Sequence, residues 1–185
     1  MNAKFICFLA LTVIALLANQ LAAQESKNAV AENKAKSKNR SGAQMAVSVP
    51  ASVPAGSPVA LRVEISYTGK DKARISYDRY RDFHVFLAVV DKKNKAVPLT
   101  AYGKKTLKPT EIADVLARAR GSHTTIFLKN GETCDLSIGN VALFYDLTVP
   151  GEYTIKIERI VGLGDWNSKK TVRLKAKVKI TIERP

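Results

Sequence analysis

The chain has 185 residues, of which 46% are hydrophobic, and its 30 lysine and arginine residues outnumber its 16 acidic residues to give a net charge of +14. This length suits a single domain. No apolar run beyond the first 23 residues is long enough to span a bilayer, so we expect no transmembrane segment in the mature chain.

Residues 1–23 have the three parts of a secretory signal peptide. Lys4 provides a basic start, residues 5–18 are almost wholly apolar, and small residues precede a cleavage position after Ala23. The apolar run is shorter than the roughly 20 residues that a spanning helix needs, which favours cleavage over an uncleaved anchor. We therefore expect an exported protein, either periplasmic or extracellular.

Residues 24–43 are polar, rich in Lys and Asn, and nearly free of large apolar side chains. Such a segment buries too little surface to offset the entropy lost on ordering, and we expect a disordered linker. Residues 44–185 then form the predicted folded domain. Its first segment contains two Ser-Val-Pro units, and the prolines at positions 50 and 54 predict an edge strand.

Apolar and polar residues alternate from 58 to 67, which predicts a half-buried strand. Residues 83–90 are apolar on both faces and predict a central or covered strand. The apolar spacing between 110 and 120 predicts a short amphipathic helix. Asn130-Gly131 separates two strand-like runs and predicts a hairpin, and strands are expected again over 152–161 and 171–184.

These elements predict an all-β fold, an immunoglobulin-like β-sandwich of about seven to eight strands with one short helix in a connection near 110–120. The most specific motif is the run 145–155, Tyr-Asp-Leu-Thr-Val-Pro-Gly-Glu-Tyr-Thr-Ile. The layout resembles bacterial secreted immunoglobulin-like domains and, more loosely, the BsuPI-type proteinase inhibitor family. This resemblance implies that Tyr153 is a tyrosine-corner residue, and it implies protease inhibition through an extended loop, for which 103–108 and the Trp166 loop are the candidates.

The sequence shows no catalytic apparatus. His84 and His123 lie far apart without clustered ligands, and no phosphate loop or nucleophile elbow is present. Cys134 is the only thiol outside the signal peptide, so no intrachain disulfide can form, and its alternating context predicts an inert core residue over a redox or catalytic thiol. We expect no enzyme activity, no cofactor and no bound metal.

The last predicted strand alternates apolar residues with Arg173, Lys175, Lys177 and Lys179. Consecutive charges on one face of a strand lie about 7 Å apart. This ridge is interpreted either as a solvated face that guards a sheet edge or as a docking site for an anionic partner. Glu64, Glu158 and Glu183 are candidates to neutralise part of it. No aromatic residue alternates with these lysines, so we expect no specific nucleic-acid binding.

Trp166, the sole tryptophan, lies in a Gly-rich loop, where it either anchors a partner or caps the core. From these features we expect a non-enzymatic, exported binding or structural module of the cell envelope, with a protein or an anionic envelope polymer as its partner. The alternative is a protease inhibitor of the BsuPI-like type.

Overall fold

The structure, a computed structural model, describes residues 31–38, 40–78, 86–107 and 123–185. This part of the chain contains ten strands, one six-residue helix and one 3-10 turn. These elements all belong to the unit Glu32–Pro185. In chain order they are β1 (Glu32–Lys38), β2 (Ala43–Pro50), β3 (Ser52–Pro54), β4 (Arg62–Tyr67), β5 (Ala73–Asp78), β6 (Phe86–Asp91), α1 (Ala101–Thr106), β7 (His123–Leu128), β8 (Thr133–Asp135), the 3-10 turn (Val141–Leu143), β9 (Gly151–Leu163) and β10 (Thr171–Glu183).

The strands form two sheets. One is four-stranded, in the order β1-β2-β4-β8, and the other is six-stranded, in the order β3-β10-β9-β5-β7 with β6 also paired to β9. Every pair is antiparallel except β3 with β10, which is parallel. The predicted all-β sandwich is therefore confirmed, with more strands than the seven to eight that we expected.

The core lies between the sheets and follows the period of two that alternating strands impose. Val63 and Ile65 of β4 in the four-stranded sheet are fully buried, as is Leu61 just before that strand. On the opposing sheet, Leu174, Val178 and Ile180 of β10 are buried, and the residues that alternate with the buried ones are exposed. The alternation that predicted these strands in the sequence is the alternation that fills the core.

β1 differs from our expectation of a disordered linker over residues 24–43. Residues 32–38 form a strand that pairs with β2 along its whole length. The side chains of Asn33 and Ser37 reach the open edge of β10: Asn33 Nδ2 donates to the Lys179 carbonyl (2.8 Å), and the Lys175 amide donates to Ser37 Oγ (3.2 Å). Pairing and these two contacts order a segment that lacks large apolar residues. Residues 1–30, with the predicted signal peptide, lie outside the described residues.

β2 was expected to be an edge strand because of its prolines, but it lies between β1 and β4. Pro50 is the last residue of β2 and Pro54 the last of β3, so neither proline interrupts the middle of a ladder. β3 is an edge strand of the six-stranded sheet. The prediction therefore applies to the second Ser-Val-Pro unit and is wrong for the first.

The Asn130-Gly131 turn forms, but the predicted hairpin is wrong. β7 pairs with β5, whereas β8 pairs with β4 in the other sheet. The turn is held by the end of β4, since the Gly131 amide donates to the Tyr67 carbonyl (2.7 Å) and the Tyr67 amide donates to the Glu132 carbonyl (3.1 Å). The turn thus carries the chain from one sheet to the other.

The helix predicted near 110–120 lies outside the described residues. The helix that the structure does describe is α1, which begins after Thr100, whose side chain accepts a hydrogen bond from the Gly103 amide (2.9 Å). Of the strand predicted over 83–90, residues 86–90 belong to β6. On the outward side of β6, Phe86 is partly exposed and Ala88 is exposed.

Candidate functional site

The four basic residues predicted on the last strand all point outward from the six-stranded sheet. Arg173, Lys175, Lys177 and Lys179 alternate along β10 with buried Leu174, Ala176 and Val178. This arrangement follows directly from the period of two in a strand. The ridge is therefore one continuous line of exposed cations, with the core on its other side.

The register of β10 against β9 shows which residues stand beside the ridge. Glu158 lies opposite Lys175 and Lys156 lies opposite Lys177. On the far side of β9, the β6 residues Phe86 and Ala88 lie opposite Glu158 and Lys156. We call the outward side chains of these three strands the basic face; it comprises Arg173, Lys175, Lys177, Lys179, Lys156, Glu158, Phe86 and Ala88.

Glu158 is the one carboxylate of the basic face, and two cations of the ridge share it. Its Oε1 lies 3.1 Å from Arg173 Nε, and its Oε2 lies 3.2 Å from Lys175 Nζ. Of the three glutamates expected to neutralise the ridge, Glu158 is thus in contact with it, whereas Glu64 lies on β4 in the other sheet. The surplus positive charge is concentrated at Lys156, Lys177 and Lys179.

Lys156, Phe86 and Ala88 were not identified as site residues from the sequence. Phe86 and Ala88 lie on β6, far from β10 in sequence, and only the pairing of β6 with β9 and of β9 with β10 brings them to Lys156 and the ridge. All three line a shallow depression of about 300 Å³, together with Leu87, Ile157, Glu158, Lys175, Ala176 and Lys177. The alternation of Lys156 and Glu158 with isoleucines in β9 is the sequence signal that marks them as outward-facing.

Trp166 is 66% exposed in the loop between β9 and β10. Its ring meets the Phe127 ring edge to face, with centroids 5.0 Å apart, and Lys72 Nζ lies 6.0 Å from the Phe127 centroid. Trp166 therefore does not cap the core; it packs on an aromatic residue of β7.

Arg74 braces the Trp166 loop from beneath. Its guanidinium donates to the carbonyl oxygens of Asp165 and Trp166 (both 2.9 Å) and of Ser168 (3.2 Å). Gly162 lies next to Arg74 across β5 and β9, and a Cβ at that glycine would lie 2.9 Å from Arg74 Nε. The glycine thus leaves room for the arginine to lie flat under the loop.

Cys134 lies in the core at 7% exposure. Burial raises the pKa of its thiol, the Arg159 guanidinium opposes that rise, and the Asp135 carboxylate adds to it. A protonated, buried thiol is a poor nucleophile. Arg159 lies opposite Leu174 on β9 and donates to the Ser76 carbonyl, and burial lowers its pKa to about 10, so it remains cationic at neutral pH.

Tyr153 is the third residue of the long strand β9, and its hydroxyl donates to the Val149 carbonyl (2.7 Å). A tyrosine bonded to the backbone a few residues upstream, at the entry to a penultimate strand, is the contact that defines a tyrosine corner. The residue therefore fixes the turn 146–151 to the start of β9.

Over the residues that the structure describes, which exclude 108, neither candidate inhibitory loop presents an extended strand. Residues 101–106 are helical, and residues 164–167 form bends and turns. Within the described ranges, no three His, Cys, Asp or Glu side chains cluster in a way that could hold a metal ion. The helices in that same part of the chain are all too short or too polar to cross a membrane.

The fold and the site together define an all-β sandwich with a basic outer sheet face and a braced tryptophan loop. No protein-family model matches the chain, and no curated protein or solved structure matches it either.

Proposed function

We propose that this chain is an exported, non-enzymatic binding module of the cell envelope, and that the basic face binds an anionic partner, with a linear envelope polymer as the class that best fits it. The observation that carries the proposal is the unequal distribution of charge on this face. Glu158 engages Arg173 and Lys175, whereas Lys177 and Lys179 contact no carboxylate of the described residues.

The shape of the face supports a linear partner. The cations of β10 repeat about every 7 Å along the strand, a spacing that an extended chain with repeated negative charges can follow. Like charges held on one rigid face also attract counter-ions more strongly than the same charges scattered over a surface. The Trp166 loop lies at the end of the same sheet and adds an exposed aromatic contact.

The experiment measures binding of the mature domain to immobilised dextran sulfate over a range of salt concentrations. The test variant replaces Lys175, Lys177 and Lys179 with Gln. A matched control replaces Lys36, Lys70 and Lys104 with Gln, which removes the same number of positive charges from β1, a turn and α1. We expect salt-dependent binding that the test variant loses and the control keeps. Equal losses in the two variants would show that net charge, not the basic face, governs binding.

A further inference from the structure

The backbone orientation of β10 makes Lys156 and Lys177 a narrow cross-strand pair. The Lys175 amide and the Lys179 carbonyl bond to β1 side chains, so the odd-numbered residues of β10 turn their backbone groups away from β9. Lys177 and Lys156, which are direct cross-strand partners, therefore form a pair of the non-hydrogen-bonded kind. In such pairs the Cα atoms are about 4.5 Å apart, against about 5.5 Å in hydrogen-bonded pairs.

Two like charges directly opposite each other destabilise a sheet. The neighbouring pair shows the contrast, because Lys175 faces Glu158 in the same geometry and forms an ion pair with it. A carboxylate at position 156 or 177 would give the same relief, yet the sequence has lysine at both.

The other nearby carboxylates are occupied elsewhere. Asp91 accepts hydrogen bonds from the amides of Lys93 (2.9 Å) and Lys95 (2.8 Å). Glu152 lies 3.6 Å from Lys92 Nζ. Lys156 Nζ instead donates to the Asn94 amide oxygen (2.8 Å), a neutral partner that positions the ammonium group without neutralising it.

The two ammonium groups belong to side chains that border the depression on the basic face. Phe86 and Ala88 contribute apolar surface to it, and Lys156 and Lys177 stand on its rim. A ligand that fits has an apolar or ring-shaped body with an attached negative group. The repulsion between the two lysines is relieved when that group lies between them.

We propose that Lys156 and Lys177 form an oxyanion subsite for a sulfate, phosphate or carboxylate group of a linear anionic polymer, with a ring of the polymer resting on Phe86. This inference rests on the proposed function, since it assigns the chemistry of one position on the same face. Asn94 is a positioning residue in this subsite.

The test compares Lys177→Gln and Lys156→Gln with Lys175→Gln, which removes the same charge one outward position along β10. Binding to dextran sulfate, polyphosphate and polygalacturonate is measured at low salt, with uncharged dextran as the control polymer and anionic phosphatidylglycerol vesicles as a lipid arm. We expect roughly tenfold weaker binding for the two subsite variants, as for one lost charge-assisted contact, and a much smaller loss for Lys175→Gln.

Thermal unfolding gives a readout that a merely structural role would not produce. Lys177→Gln removes the repulsion, so its melting temperature should rise by roughly 1–3 °C while its affinity falls. Lys175→Gln breaks an ion pair and should not raise the melting temperature. The proposed subsite therefore predicts that Lys177→Gln raises the melting temperature and lowers the affinity for the polymer.

The outcomes separate the two proposals. Wild-type protein that binds no polyanion at low salt overturns the proposed function and the subsite together. Wild-type binding that Lys156→Gln and Lys177→Gln weaken no more than Lys175→Gln overturns the subsite alone, as does an unchanged or lower melting temperature for Lys177→Gln. Binding to the vesicles but to none of the polymers overturns the assignment of a linear polymer. Preference among the three charged polymers identifies the oxyanion.

Discussion

The hydroxyl group of Tyr145 donates a hydrogen bond of 2.6 Å to the carbonyl oxygen of Leu87 and so ties the segment before β9 to β6. Tyr145 is buried at 7% exposure, and burial raises the pKa of its hydroxyl to about 12. In the unfolded chain the same group ionises near 10. The folded state therefore holds this proton at a pH where the unfolded state has lost it.

The first prediction concerns alkaline pH. Because the unfolded state binds fewer protons, the free energy of unfolding should fall as pH rises from about 10 towards about 12. Tyr145→Phe should be less stable at neutral pH by about 1–3 kcal/mol, since the Leu87 carbonyl loses its partner. It should also show a shallower alkaline loss in urea titrations between pH 8 and 12.

The pH dependence of stability that remains in Tyr145→Phe comes from two other buried tyrosines. Burial also raises the pKa values of Tyr67 and Tyr153, so they contribute in the same direction. A Tyr145→Phe variant whose alkaline profile is parallel to that of the wild type would contradict the prediction.

The second prediction concerns the tyrosine corner. Tyr153→Phe keeps the packing of the ring but removes the donor to the Val149 carbonyl. We expect the free energy of unfolding to fall by about 1–2 kcal/mol, measured by urea denaturation monitored by circular dichroism. A difference from wild type of less than about 0.5 kcal/mol would place this hydrogen bond among ordinary surface contacts.

The third prediction concerns the brace under the tryptophan loop. Arg74→Ala removes the donors to three carbonyls of residues 165–168 and should loosen the loop. Because Trp166 is the sole tryptophan, its fluorescence reports on this loop alone. We expect lower steady-state anisotropy of the indole in Arg74→Ala, with the wild-type value kept in the control Arg62→Ala on the other sheet. Equal anisotropy in all three proteins would show that packing on Phe127 suffices to hold the ring.

The fourth prediction concerns Glu158. Glu158→Gln releases Arg173 and Lys175 from their shared carboxylate, so the basic face gains one unit of positive charge. Retention on a cation exchanger and affinity for dextran sulfate should both increase, and the increase should shrink as salt rises. Glu183→Gln, which makes the same charge change at the end of β10, is the control. An equal gain in the two variants would assign the effect to net charge.

The strands could be predicted where burial on one face imposes a clear alternation, as it does in β4 and β10. The ridge on β10 followed from the same alternation. β1 could not be predicted in this way, because its stability comes from pairing with β2 and from the contacts of Asn33 and Ser37, not from apolar side chains.

The residues that face the ridge across the sheet could not be predicted from the sequence either. Whether Lys177 faces Lys156 or Glu158 depends on the register of two long strands, and a shift of two residues would exchange an ion pair for a repulsion. The sheet change at Asn130-Gly131 was missed for a similar reason. A turn sequence specifies local dihedral angles, but the end of β4 decides which sheet receives the next strand.

The contacts between β1 and β10 have a consequence for any truncated version of the chain. A version that begins after residue 42 would lose the side-chain contacts to Lys175 and Lys179 and leave that stretch of β10 with exposed amides and carbonyls. Such an edge is a template for a strand from another molecule. We therefore expect the shortened version to self-associate more than the version that keeps β1, and light scattering of the two versions would measure this difference.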